Sequence, residues 1–200
     1  MKILALDAMG VIYQARDDVA ELLVPFLSKL GKVNLSHMEK LYHQCSLGKF
    51  SSSFFWQQLG LSPDVEDEYL SNHQLVSGVK EFIVTVRSHF DSVWCLSNDV
   101  SEWSIKLREM FELKSLFDGT IISGDVKIRK PSHEIYKSLC DASNSRPEEI
   151  LFIDDRPENV VAAIDCGMKS ILFGEHPKPL EGLPHVNDFA ELKNMIKEVA

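Results

Sequence analysis

Two hundred residues, 44% of them hydrophobic and 26% charged, suit one medium globular domain or a core with a small insert. A net charge of −9 repels nucleic acid and anionic membrane surfaces, so neither is expected as a partner, and a small anionic ligand would need a local cationic site. No run approaches the roughly 20 apolar residues of a membrane span, and Cys45, Cys95, Cys140 and Cys166 show no paired spacing, so reduced thiols and a cytoplasmic setting are expected.

In chain order, Ile3–Leu6 is an apolar run that predicts a buried strand with Asp7 at its carboxyl end. Asp7 interrupts this run too early for a signal peptide. From Asp17 to about Leu30, Val19, Leu22, Leu23, Phe26, Leu27 and Leu30 share one face of a predicted helix. Ser36 and Glu39 read as a capping box for the next helix, whose inner face carries Met38, Leu41, Tyr42 and Cys45. A third helix is expected over Ser51–Leu59 and a short fourth over Asp64–Asn72. Core packing accounts for Phe54, Phe55 and Trp56 better than ligand stacking does, although Trp56 is a candidate for the lining of a site. The acidic run Asp64–Glu68 reads as a solvated helix start. His37 and His43 have no matching cysteine or acidic partner that would make a metal pair, and read as surface residues. Val76–Phe90 closes the helical stretch, with Gly78 in its first turn.

Thereafter strands return. Ser92–Leu96 is a strand ending at Ser97, with Trp94 in the core, and Asp99 and Glu102 cap the helix that follows to about Leu113. Thr120–Ile122 is a short strand, and Pro131 or Ser132 opens a helix through Leu139. Ile150–Ile153 is a strand ending in Asp154 and Asp155. Pro157–Cys166 is a helix stopped by Gly167, and Ser170–Phe173 is the last strand. Residues 174–185, with Gly174, Pro177, Pro179, Gly182 and Pro184, read as a loop before a closing helix over Asp188–Val199. Repeated strand–helix units predict an α/β fold, a Rossmann-like parallel sheet with helices on both faces. The interval 14–76 has no strand partner and is expected to form an α-helical cap, inserted into a core domain made of residues 1–13 and 77–200.

In open parallel sheets, ligands bind outside the carboxyl ends of the strands. Asp7, Ser97 with Asn98, and Asp154 with Asp155 stand at three such ends, and Lys130 precedes a helix between the second and third. Two acidic ends, a hydroxyl and a lysine describe a magnesium-assisted phosphoryl site. Two adjacent carboxylates on a buried strand end call for a cation.

These segments resemble the four motifs of the haloacid dehalogenase-like (HAD) hydrolases: Leu6-Asp7-Ala8-Met9-Gly10-Val11-Ile12, Cys95-Leu96-Ser97-Asn98, Lys130-Pro131, and Phe152-Ile153-Asp154-Asp155 with Asn159 and Gly167. The interval 14–76, with Leu47-Gly48-Lys49-Phe50 leading to Phe55-Trp56, resembles the small helical cap that many members carry after the first motif. The resemblance implies a role for each residue. Asp7 would be the nucleophile, forming an aspartyl phosphate, and one of its oxygens would bind Mg²⁺. Ser97, Asn98 and the first amides of the next helix would bind the phosphoryl oxygens. Lys130, preferred over Lys127 because of the Lys-Pro pair, would neutralise those oxygens and Asp7. Asp155 would bind the metal, with Asp154 beside it either supporting the metal site without binding the ion directly or orienting the lysine. A small phosphorylated metabolite would be the ligand; sugar phosphates, nucleotides and small organic phosphates all fit.

The departure from the pattern is Met9, which stands where the family's phosphatases place a second aspartate that protonates the leaving group and then activates water. A thioether does neither, although the Met9 backbone carbonyl keeps the family's metal contact. General acid–base catalysis is typically worth about 10²–10⁴-fold. Three readings follow: a weakened phosphatase that favours good leaving groups, a slow or inactive relative that binds a phosphorylated ligand or a partner, or a 2-haloacid dehalogenase. The last would want a cationic cap residue, for which only Arg16 is at hand, and the two acids at 154 and 155 would repel its anionic substrate.

Overall fold

A computed structural model of the chain describes residues 2–31, 34–176 and 182–199. The β-strands are β1 (Ile3–Leu6), β2 (Ser92–Ser97), β3 (Gly119–Ile122), β4 (Ile150–Asp154), β5 (Lys169–Phe173) and β6 (His185–Val186). They form one parallel sheet in the order β3-β2-β1-β4-β5-β6. Every residue of β1 and β4 is buried, because helices cover both faces of the sheet and the strands can be apolar throughout.

Successive residues of β1 divide between two cores, as the two-residue period of a strand requires. Ile3 and Ala5 pack with α8 (His133–Ser143) and α9 (Pro157–Asp165) through Ile135, Tyr136 and Ala163. Leu4 and Leu6 face α5 (Val79–Val86) and α10 (Phe189–Val199) through Phe82, Leu192 and Ile196. The expected helix over Asp17–Leu30 begins as a π-helical turn, Val19–Leu23, and continues as α1 (Val24–Lys29). With α2 (Leu35–Cys45), α3 (Ser52–Gln58) and α4 (Val65–Leu70) it makes helices and their connecting loops the content of residues 14–76 among the described residues, apart from an isolated bridge between Tyr13 and Leu75.

Several local expectations change. The cap of α2 is Asn34, whose side chain accepts from the His37 amide at 3.2 Å, so Ser36 and Glu39 form no capping box. Asp99 does not cap α6 (Ser101–Met110); its carboxylate turns onto the Val100 amide, and Glu102 accepts instead from the Ser52 amide at the start of α3. Trp94 is half-buried, its indole donating to Ser92 Oγ. The helix from Val76 is shorter than expected, with Gly78 in the left-handed region at its start and a 3-10 turn, Arg87–His89, at its end. The short α7 (Ser123–Val126) and strand β6 arise where no element is predicted. Of the expected loop over 174–185, Pro177 and Pro179 lie outside the described residues.

The acidic run Asp64–Glu68 is not wholly solvated. Glu66 is buried and one of its oxygens accepts both the Trp56 indole at 2.9 Å and the Trp103 indole at 2.8 Å, while Lys106 pairs with the other at 2.9 Å. Trp56 is therefore fully buried, against Phe26, Phe55, Tyr69 and Trp103, and does not line the site. Trp103 belongs to α6 of the sheet layer, so the insert and the core share one aromatic cluster. His37 and His43 are exposed.

Candidate active site

The strand order puts β1 at the centre, between β2 and β4, so Asp7 leaves the sheet between two other strand ends. Its amide donates to the Ile153 carbonyl at 2.9 Å, which fixes the register of the first and fourth motif segments. Lys130 reaches in from the loop after α7. Its Nζ meets Asp7 Oδ1 at 2.7 Å, Asp154 Oδ2 at 2.7 Å and the Leu96 carbonyl at 2.9 Å. An ammonium with three donors is thereby satisfied away from water. Burial alone would pull the lysine down, but Asp154 and Asp7 outweigh it and hold the group above its ordinary value. Burial and the neighbouring Asp154 push Asp7 well above the usual carboxylate range, and Lys130 pulls against them.

Asp154 is the orienting acid. Both of its oxygens accept from Asn159 Nδ2 at 3.0 Å, and one also accepts from the Arg156 amide at 2.8 Å. Asp155 is held differently. Arg16 Nε donates to its Oδ2 at 2.9 Å and Arg16 Nη2 to its carbonyl at 3.1 Å, leaving Oδ1 buried with no partner. Burial raises Asp155, and the Arg16 hydrogen bond works in the other direction. Gly10, at φ +75°, admits this carboxylate: a Cβ there would stand 2.4 Å from Asp155 Cγ.

One oxygen each of Asp7, Asp154 and Asp155 falls within a group no more than 4.8 Å across. Asp154 is already saturated by Lys130, Asn159 and a backbone amide, which leaves Asp7 and Asp155 as the acids with capacity for a hard cation. Asp155, grouped with Asp7 and left with an unpartnered Oδ1, is the observation that fits a divalent ion bound through oxygen. The Met9 carbonyl accepts no hydrogen bond among the described residues. Ser97 Oγ is likewise buried without a partner at the end of β2, a donor with nothing to donate to. Asn98 lines the same cavity as Asp7 and is tied to the lysine segment. Its carboxamide donates to the Lys130 carbonyl at 2.9 Å and accepts from the Lys130 amide at 2.8 Å, so it positions the lysine segment.

Asp7 and Lys130 open onto this cavity of about 470 Å³ between the sheet edge and the helical insert, whose walls include Met9, Asp18, Tyr42, Asn98, Arg129 and Arg156. That volume is in the range of small-molecule sites. The sequence brought Asp7, Met9, Ser97, Asn98, Lys130, Asp154 and Asp155 to this edge. It offered Arg16 only as a cationic cap residue, not as the partner of Asp155, and it did not signal Arg129, which sits one residue before the lysine.

The family model for haloacid dehalogenase-like hydrolases matches residues 1–167. A bifunctional epoxide hydrolase 2 of Rattus norvegicus is 35% identical over 89 residues, which is 44% of this chain and 16% of that protein, so the match spans a small part of the relative. A glyceraldehyde 3-phosphate phosphatase of Pyrococcus furiosus is 32% identical over 77 residues, 38% of this chain and 31% of that one. Among solved structures, a HAD family enzyme of Bacteroides thetaiotaomicron in complex with magnesium and inorganic phosphate superposes with a TM-score of 0.76, covering 90% of this chain and 98% of that one at 20% identity. No helix among the described residues is long and apolar enough to cross a membrane. With the family model matching residues 1–167 of 200, the chain belongs to the haloacid dehalogenase-like hydrolase family.

Proposed function

We propose that the protein is a magnesium-dependent phosphatase that acts on a small phosphorylated metabolite through Asp7, with turnover lowered by Met9. The single observation that carries this reading is the pairing of unpartnered groups of opposite preference at one edge. Asp155, grouped with Asp7 and with its Oδ1 unpartnered, seeks a cation, while Ser97 Oγ, close in the fold to Lys130, seeks an anion. When bound, Mg²⁺ would supply positive charge between Asp7, Asp155 and the Met9 carbonyl, offsetting charge that develops on the phosphoryl oxygens. Asp7 attacks phosphorus, the P–O bond to the leaving group breaks, and an aspartyl phosphate forms. Lys130 and Ser97 hold the transferring oxygens, and Asp154, clamped by Asn159, holds Lys130. Water then cleaves the acyl phosphate, returning the Asp7 carboxylate and releasing phosphate.

Neither proton transfer has a side chain at position 9 to serve it, since Met9 presents a thioether to the cavity wall. This favours esters whose leaving groups need little protonation, and it keeps a second reading open, a slow enzyme whose main act is to bind a phosphorylated ligand. The dehalogenase reading loses its cationic cap residue, because Arg16 is engaged by Asp155, the Glu175 carbonyl and His176. The test is hydrolysis of p-nitrophenyl phosphate. Turnover that stops with EDTA and in Asp7→Asn supports the proposal; metal-independent halide release from a 2-haloacid would replace it with the dehalogenase.

A further inference from the structure

The cavity carries a cation that the phosphoryl chemistry leaves unused. Lys130 turns into the sheet edge, and Arg129, the residue before it, turns the other way, towards α2. Its guanidinium lies 6.0 Å from the centroid of the Tyr42 ring, and Nη1 donates to Ser46 Oγ. Both neighbours are committed elsewhere in ways that fix the arginine. The Tyr42 hydroxyl donates to the buried Asp18 carboxylate at 3.2 Å, and the Ser46 carbonyl accepts from Ser123 Oγ at 2.6 Å. No carboxylate of the described residues lies within 4.0 Å of the Arg129 guanidinium, so it forms no direct ion pair, although the buried Asp18 and Asp99 are near enough to feel its charge, and most of its five donors have no partner. An aromatic face and a hydroxyl hold the fork in place without neutralising it, and it forms part of the wall of the same 470 Å³ space as Asp7.

We infer that Arg129 is a second anion subsite, and that the substrate is a phosphate ester carrying a further carboxylate or phosphate at the end remote from the scissile bond. Both groups present the paired oxyanion edge that a guanidinium takes in bidentate fashion. Arg156 is a poorer candidate for this role. Burial lowers it but the charges of Asp155, Asp17 and Asp7 hold it up, which ties it to the phosphoryl end of the cavity.

This inference rests on the phosphatase reading for its kinetic arm, and a binding arm stands apart from that reading. Turnover of a phosphate ester with a terminal carboxylate, of a bisphosphate and of p-nitrophenyl phosphate is measured with Mg²⁺ for the wild type, Arg129→Met and Arg129→Lys. The doubly anionic esters are expected to be preferred. Arg129→Met should raise KM for them by roughly 10- to 100-fold, the value of one charge-assisted contact, leave KM for p-nitrophenyl phosphate unchanged, and be partly rescued by lysine. Which ester loses more identifies the second group. Equal losses on all three substrates would make Arg129 a strut between core and insert, and would overturn the inference. In the binding arm, phosphonoacetate and methylphosphonate are compared by calorimetry. If no ester turns over but phosphonoacetate binds more tightly, and Arg129→Met removes the difference, the subsite stands and the phosphatase reading falls. If esters turn over but the two phosphonates bind alike, the subsite falls and the phosphatase reading stands.

Discussion

On the proposed phosphatase reading, a single side chain at position 9 separates the geometry of the site from its proton chemistry. Met9 is buried at the cavity wall beside Asp7, and its carbonyl is free of hydrogen bonds among the described residues. Met9→Asp should therefore raise kcat while leaving the metal contact intact. The gain should be larger for alkyl phosphates, whose leaving groups need a proton, than for p-nitrophenyl phosphate; the ratio of the two kcat values in a steady-state assay checks this. Asp18 makes a second residue-scale statement. Burial pushes its carboxyl up from 3.8 to about 6, against the hydrogen bond from Tyr42. The folded chain thus holds a proton there that the unfolded chain releases. The contribution to stability is complete below about pH 3.8 and is lost as pH rises through about 6, amounting to at most roughly 3 kcal/mol. In urea titrations from pH 4 to 7, Asp18→Asn should lack this falling limb.

Among the elements, what the sequence made legible follows from where information is local. Ile3–Leu6 and Ile150–Asp154 are short apolar runs ending in acids, so both strand and site residue can be read from one segment. The start of α1 was harder, because a π-helical turn and an α-helix share nearly the same apolar spacing. Strand β6 has two residues, and its pairing with β5 depends on a neighbour that its own sequence does not name. Glu66 was misread for the same reason: its run is acidic, but its partners are Trp56 ten residues away and Trp103 on another element. Likewise Arg16 and Asp155 are 139 residues apart, and no spacing rule connects them. Burial lies first among the influences on Glu66 and would raise it, yet the hydrogen bonds from Ser52, Lys106 and the two indoles carry it below its ordinary value. Glu66→Ala leaves two buried indole N–H groups unpaired and should cost about 2–4 kcal/mol in denaturant unfolding. Lys106→Ala, which removes a pair 42% exposed on the lysine side, should cost well under about 1 kcal/mol.

For the whole molecule, the sheet order matters most, because it brings residues 7, 97, 130, 154 and 155 to one edge under the helical insert. Cation and phosphate should therefore bind as a pair. Mg²⁺ and inorganic phosphate together are expected to raise Tm more than the sum of their separate effects, and a ligand at 100 times its Kd stabilises by about 2.7 kcal/mol. Asp155→Asn should abolish the Mg²⁺ part of that shift in a melting experiment, and phosphate alone should then act no more strongly than it does on the wild type without metal.

The carboxylate shared by Trp56 and Trp103 has an optical consequence. One indole rides on the insert and the other on the layer beneath, so a parting of the two layers frees at least one N–H to meet solvent. Of the three tryptophans, two thus form a ready-made intrinsic emitter pair at the seam, and Trp94, outside that seam, gives a steady background. Stopped-flow emission on mixing with a phosphorylated compound would then time the breathing of the seam directly, without any attached dye.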